Sequence, residues 1–170
     1  MGRSADGWGE IMRGNDVVAL FQSFAQAGVS AWAAGGWAVD AVLGRQTREH
    51  GDLDLAVDAR HLPTLLALLT GDGFATTVDW LPSRLELTAA DGRRVDLHPV
   101  EFAPDGSGIQ RGLADTSFVY TADGFTTGTV EGFTVPCLSV EQQLRFREGY
   151  PPRQVDVHDL RILNDLRSER

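Results

Sequence analysis

The chain has 170 residues, 42% of them hydrophobic, enough for one domain with a real core. Its formal net charge of -9, from 24 acidic and 15 basic residues, argues against DNA or RNA as a partner, because phosphate backbones need a basic footprint. No apolar run approaches the ~18–20 residues of a membrane span, "MGRSADGWGE" lacks the apolar core of a signal peptide, and the lone Cys137 cannot form an intrachain disulfide, so a cytoplasmic protein is expected.

In chain order, "NDVVALFQSFAQAG" carries Val17, Leu20, Phe21 and Phe24 at the spacing of one helical face, with Asn15 as the expected N-cap and Gly28 as the stop. "VSAWAA" reads as a short strand, and "GGWAVDAVLG" as two glycines opening a short helix that Gly44 closes. "RQTREHG" is a polar loop leading into "DLDLAVD", a strand by its alternation. "HLPTLLALLTG" is a helix with proline near its first turn. "SRLELTAADGRRVDLHPV" reads as a hairpin around Asp91-Gly92, and the glycine-rich stretch over residues 102–117 as loop. "GTVEGFTVPC" predicts a second, shorter hairpin. Ser139 and Gln142 stand in capping-box positions before a helix, and "VDVHDLRILNDL" predicts the last one. The expected organisation is a tail over residues 1–14, a core over 15–136 and a C-terminal helical segment over 137–170. The fold class is α/β (α+β), a small mixed β-sheet flanked by helices.

Three features bear on chemistry. The glycines of "AAGGW" sit at a strand-to-helix turn, where backbone N–H groups approach a ligand and a helix N-terminus favours phosphate. Asp52 and Asp54 alternate with apolar residues, which places two like charges on one strand face. Asp96 sits on another apolar strand, with His98 on its face. A solvated edge strand explains each aspartate alone. Together, carboxylates on neighbouring strands are the donor set of divalent cations, and Mg²⁺ takes hard oxygen ligands plus substrate phosphates. Two such ions stabilise the attacking and leaving oxygens of an in-line displacement at phosphorus. The chain has no lysine, so phosphate contacts fall to arginine, histidine, backbone N–H groups or metal.

"GGWAVDAVLGRQTREHGDLDL", followed by "RVDLHP", resembles the antibiotic nucleotidyltransferases of the DNA polymerase β-like superfamily. The lincosamide nucleotidyltransferases and aminoglycoside 2″-adenylyltransferases are the most similar group, and the likeness spans about residues 17–166, including "FREGYPPRQVDVHDLRIL". The resemblance implies a Mg²⁺-dependent enzyme, with two ions, that transfers AMP from ATP to a hydroxyl of an antibiotic-like small molecule and releases pyrophosphate. It implies phosphate contacts from Gly35 and Gly36, metal ligation by Asp52 and Asp54, and Asp96 as third ligand or general base. Arg48 and His50 enter the metal strand and are expected to reach the triphosphate; Arg48 has Asp40 as an alternative partner. The expected partners are the acceptor and a nucleoside triphosphate, with neither nucleic acid nor membrane, in a monomer or homodimer. Non-catalytic nucleotide-binding or antitoxin-type members of the fold, and enzymes acting on a protein acceptor, are the rival readings. The hairpin register stays open: a two-residue turn puts Asp96 beside Leu85 and Leu87, a three-residue turn beside Arg84 and Glu86. Trp80, Phe102, Phe118, Tyr120 and Tyr150 are the aromatics available to wall an acceptor pocket or to pack in core and rim.

Overall fold

A computed structural model describes residues 11–170. Helix α1 (Gly14–Gln26) starts one residue before Asn15, because Asp16 Oδ2 accepts the Arg13 N–H at 2.9 Å and caps the helix instead. Met12, ahead of it, is fully buried and its N–H donates to the His50 carbonyl at 3.2 Å, so the chain already belongs to the core there. The rest of the expected tail, residues 1–10, lies outside the described residues. Strand β1 (Ala31–Ala34) runs straight into α2 (Gly35–Leu43), which Gly44 ends in the left-handed conformation. Strand β2 (Leu53–Asp58) follows the polar loop, and a single 3₁₀ turn leads into α3 (Leu62–Gly71) with its proline in the first turn.

Strand β3 (Phe74–Trp80) precedes the hairpin of β4 (Arg84–Ala89) and β5 (Arg94–Phe102). Ala89 and Arg93 close that hairpin around three residues, and Glu86 faces Asp96. The longer turn therefore holds, and it puts Arg84 and Glu86 on the face of Asp96. The glycine-rich stretch expected as loop is instead a hairpin, β6 (Gly108–Arg111) and β7 (Ser117–Tyr120), paired to the end of β5. Short strands rich in glycine lack the apolar alternation that marks longer ones, and β5 supplies the edge that orders them. The second predicted hairpin is β8 (Phe125–Val130) and β9 (Phe133–Leu138). Helices α4 (Val140–Phe146) and α5 (Gln154–Ser168) complete the chain.

The sheet runs β3-β4-β5-β2-β1-β9-β8, with β2–β5 and β1–β9 parallel and the other pairs antiparallel. One face carries Leu53, Leu55, Val57, Val95, Leu97, Leu85 and Leu87 into a core shared with α1, α2 and α3. Each such side chain contributes about 1.5–3 kcal/mol by leaving water. On the other face, register lines up Glu86, Asp96, Asp54 and Ala34 across four strands. A smaller core of Ala56, Val100, Tyr120 and Leu138, with Trp32, Phe102, Phe125 and Phe146 against it, fills the rest of that face. Helix α2 joins α4 and α5 through Val39, Val140, Leu144 and Leu163.

Candidate active site

The row across the sheet brings Asp54 and Asp96 side by side, and His98 follows one pleat along β5. Asp54, Asp96 and His98 each offer a ligand atom within 4.8 Å of the others. Parallel pairing sets this spacing, because Asp54 and Asp96 are directly matched partners and their side chains leave the same face. Gly35 presses on the cluster from α2: a Cβ there, at φ 58°, would run into Asp54 Oδ2. Only glycine fits a position that is left-handed and in contact with a carboxylate at once. Arg84 Nε lies 3.2 Å from Asp96 Oδ1, an ion pair off hydrogen-bond geometry, and that buried oxygen has no hydrogen-bond donor among the described residues.

Asp52 precedes β2 and adjoins the cluster. Burial, then the charge of Asp54, pushes its carboxyl up to about 6, with Asp96 adding to the rise while Arg94 and His50 oppose it. Burial and the charge of Asp54 also raise Asp96, against the pull of His98 and Arg84. Burial alone would depress His98, but its hydrogen bond to Asp54 and the charges of Asp54 and Asp96 outweigh that and leave it above its ordinary value. Asp52 and Asp96, both raised by burial and by the neighbouring charge of Asp54, belong to a site that gains from a positive charge.

The second glycine has a different neighbour. A Cβ on Gly36 would meet Arg48 Nη2, and His50 Nδ1 at 2.7 Å. His50 is 3% exposed, its Nε2 lies 2.6 Å from Asp40 Oδ2, and its ring sits 4.4 Å from that of Trp37. Arg48 pairs neither with Asp40 nor within the carboxylate cluster: its Nε and Nη2 donate to the two oxygens of Asp159 on α5, at 3.2 and 3.1 Å. Asp40 is instead shared between His50 and the Thr47 hydroxyl, which also meets His158 Nε2 at 2.8 Å. The motif loop is thus bound to α2 on one side and α5 on the other.

A cavity of about 600 Å³ opens beside Gly35, Asp54 and His98. Trp80, Phe118, Tyr120 and Tyr150 line it, whereas Phe102 packs against Trp32 and Phe125. The C-terminal segment closes the far side with Gln143, Phe146, Arg147, Arg153 and Asp156. Sequence reasoning did not single out Arg147, Arg153, Asp156 or Gln110. Arg147 and Arg153 are the residues that cap the end of α4 and the start of α5, Asp156 lies in the first turn of α5, and Gln110 falls in the stretch read as loop.

Comparison with known proteins accords with this geometry. A lincosamide resistance protein of Staphylococcus haemolyticus is 35% identical over 138 residues, 81% of this chain and 86% of that protein. The lincosamide antibiotic adenylyltransferase LnuA with lincomycin bound superposes with a TM-score of 0.79 at 33% identity, covering 88% of this chain and 95% of that one. ANT(2″)-Ia in complex with adenylyl-2″-tobramycin shares the fold, with a TM-score of 0.74 at 22% identity over 92% of this chain and 90% of that one. The aminoglycoside-2″-adenylyltransferase family matches residues 16–163, which takes in the glycine turn, the aspartate row, α4 and most of α5, and the chain belongs to that family.

Proposed function

We propose that this chain is a metal-dependent nucleotidyltransferase that moves AMP from ATP to a hydroxyl of a lincosamide-type antibiotic. The observation that carries the reading is the row that sets Asp96 beside Asp54, which lines the cavity. The donor set fits a hard divalent cation: carboxylate oxygens predominate, Asp96 Oδ1 has no hydrogen-bond donor, and glycine at 35 keeps a Cβ off Asp54. Asp54 and Asp96 would hold the cation, with Asp52 beside them at the start of β2, and two Mg²⁺ ions are the expectation. A bound divalent cation supplies charge stabilisation at the phosphates.

The chain's own part is binding, orientation and one proton. The acceptor oxygen attacks the α-phosphorus, the bond to pyrophosphate breaks, and the acceptor's proton passes to the Asp96 carboxylate. In the cation-free protein burial and Asp54 raise that carboxyl above its ordinary value. Positioning of the two reactants contributes most of the rate. Gly35 opens α2 beside Asp54, which leaves the first backbone N–H groups of that helix to the phosphates. Arg48, His50 and Gly36 support this from behind through Asp159 and Asp40.

Cavity chemistry selects the acceptor. Arg84, Arg147 and Arg153 line it against Asp54 and Asp156, and Asp156 is already paired with Arg153 at 3.0 Å. Arg84 and Arg147 are likewise paired, with Asp96 and Asp159, so the lining offers a polycationic aminoglycoside few free carboxylates. A lincosamide, with one amine and a largely apolar body, suits the aromatic wall. Pyrophosphate release with ATP and Mg²⁺, run against lincosamides and aminoglycosides with mass spectrometry of each product, tests this. An adenylylated lincosamide is expected. An adenylylated aminoglycoside alone would overturn the acceptor assignment, and failure to bind Mg·ATP would overturn the reaction.

A further inference from the structure

We propose that Gln110 is a positioning residue for the cation site: it fixes the proton of His98 on Nε2, so that His98 orients Asp54 and does not itself ligate the cation. This rests on the reading of Asp54 as a cation ligand. Gln110 lies in β6 and is only 6% exposed. Its Nε2 lies 3.2 Å from the carbonyl oxygen of Ser83, which can only accept, so the nitrogen end must face that way. Its Oε1 accepts from the Tyr120 hydroxyl at 2.9 Å, which agrees with the same orientation.

The same Nε2 is 3.1 Å from His98 Nδ1. An amide nitrogen has no acceptor lone pair to offer there, so Nδ1 is the acceptor. The neutral ring then carries its hydrogen on Nε2, which faces Asp54 Oδ1 at 3.4 Å. A nitrogen that carries a proton has no lone pair for a metal. Of the three ligand-type side chains in the cluster, only the two carboxylates remain as donors, and the set becomes all oxygen. That favours a magnesium-like ion over zinc, which readily accepts imidazole. Asp54 is held at Oδ1 by His98, while Oδ2 lies on the Gly35 side.

Nitrogen-15 NMR of the histidine rings in the full-length, cation-free protein, at an alkaline pH where the imidazole is neutral, reads the tautomer directly, and calorimetry with Mn²⁺ reads the site. His98 is expected to show a protonated Nε2 and a bare Nδ1. In Gln110→Leu the Asp54 carboxylate still favours the proton on Nε2, but the ring loses its anchor at Nδ1 and Mn²⁺ binding should weaken about 10- to 100-fold, the usual loss when an orienting partner is removed. Tyr120→Phe keeps the Ser83 anchor and should keep the tautomer. If Gln110→Leu does not fold, Gln110→Glu retains the shape, and its carboxylate should draw a proton onto Nδ1. A protonated Nδ1 in the unmodified protein overturns the proposal. So does a bare Nδ1 in Gln110→Glu, or unchanged Mn²⁺ binding in Gln110→Leu, since the side chain at 110 then does not position the ring. Absence of Mn²⁺ binding in the unmodified protein would instead retire the cation reading, with the tautomer result standing apart from it.

Discussion

Gly35 and Gly36 are adjacent in sequence and serve different neighbours. A Cβ on Gly35 would strike Asp54, and its φ of 58° is strained for any other residue. Gly35→Ala should cost about 1–2 kcal/mol in a urea titration. Transfer should fall ~100-fold or more, because the carboxylate is pushed off its position. Asp52→Asn should do the opposite to stability. Its carboxyl is pushed up to about 6 by burial first and then by Asp54, so at neutral pH its charge disfavours the fold. The variant should gain on the order of 1–3 kcal/mol in cation-free protein and lose transfer. Asp54 and Asp96 were legible in the sequence because strand alternation puts each on a definite face, whereas Asp52, expected on the same strand face, precedes β2 and lies outside the group of Asp54, Asp96 and His98. The partners of Arg48 and His50 were not, since Asp159 lies 111 residues away and Asp40 is reached only when α2 folds back. Local pattern carries no signal for such pairs.

Helix α5 joins the motif loop to the cavity wall. Asp159, 4% exposed at its side chain, takes Arg48 at 3.1 Å and Arg147 at 3.4 Å. Asp159→Ala would leave two largely buried guanidiniums without their carboxylate, and a loss of about 3–5 kcal/mol is expected in urea. The N-terminus of α5 is pH-sensitive in a definite direction. Burial alone would raise Asp156, but hydrogen bonds from the Arg153 side chain and N–H, with the charges of Arg153 and Arg147, hold it below the usual range. A depressed carboxyl stabilises above its unfolded pKa of about 3.9 and loses that contribution as pH falls further. Asp156→Asn lacks it already at pH 7, so the two proteins should differ in urea midpoint at pH 7 and converge as the pH falls through the lowered pKa of the folded state. At this scale most elements were legible, and the exceptions have causes. Ser139 caps α4 as expected, accepting the Gln142 N–H at 3.2 Å, but the Gln142 side chain does not return to complete a box. It reaches instead to β7, accepting from Thr121 N–H at 3.0 Å and donating to the Val119 carbonyl at 3.1 Å. That contact orders the hairpin whose glycine-rich sequence reads as loop.

The cavity exists only where the sheet and the C-terminal helices meet. Gln143 on α4 donates to the carbonyl of Ala38 on α2 at 3.2 Å and of Leu138 on β9 at 2.8 Å, and Leu163 of α5 shares a core with Val39 of α2. The expected boundary between residues 136 and 137 crosses β9, a strand paired to both β1 and β8, so the core and the helical segment share one sheet. Alternation could mark the strands, but the parallel pairing of β1 with β9 spans about a hundred residues and left no local trace. A chain built this way should unfold as one unit. Far-ultraviolet circular dichroism follows mainly the helices, whereas fluorescence of Trp32 and Trp37, in β1 and α2, follows the sheet core. The two urea transitions are expected to coincide, and to move together in Asp159→Ala. A helical signal that melts first, with the tryptophans still buried, would mean that the helices dock on a self-sufficient core. The acceptor pocket would then be assembled by docking, and acceptor KM in Asp159→Ala should rise while the core's own midpoint stays unchanged.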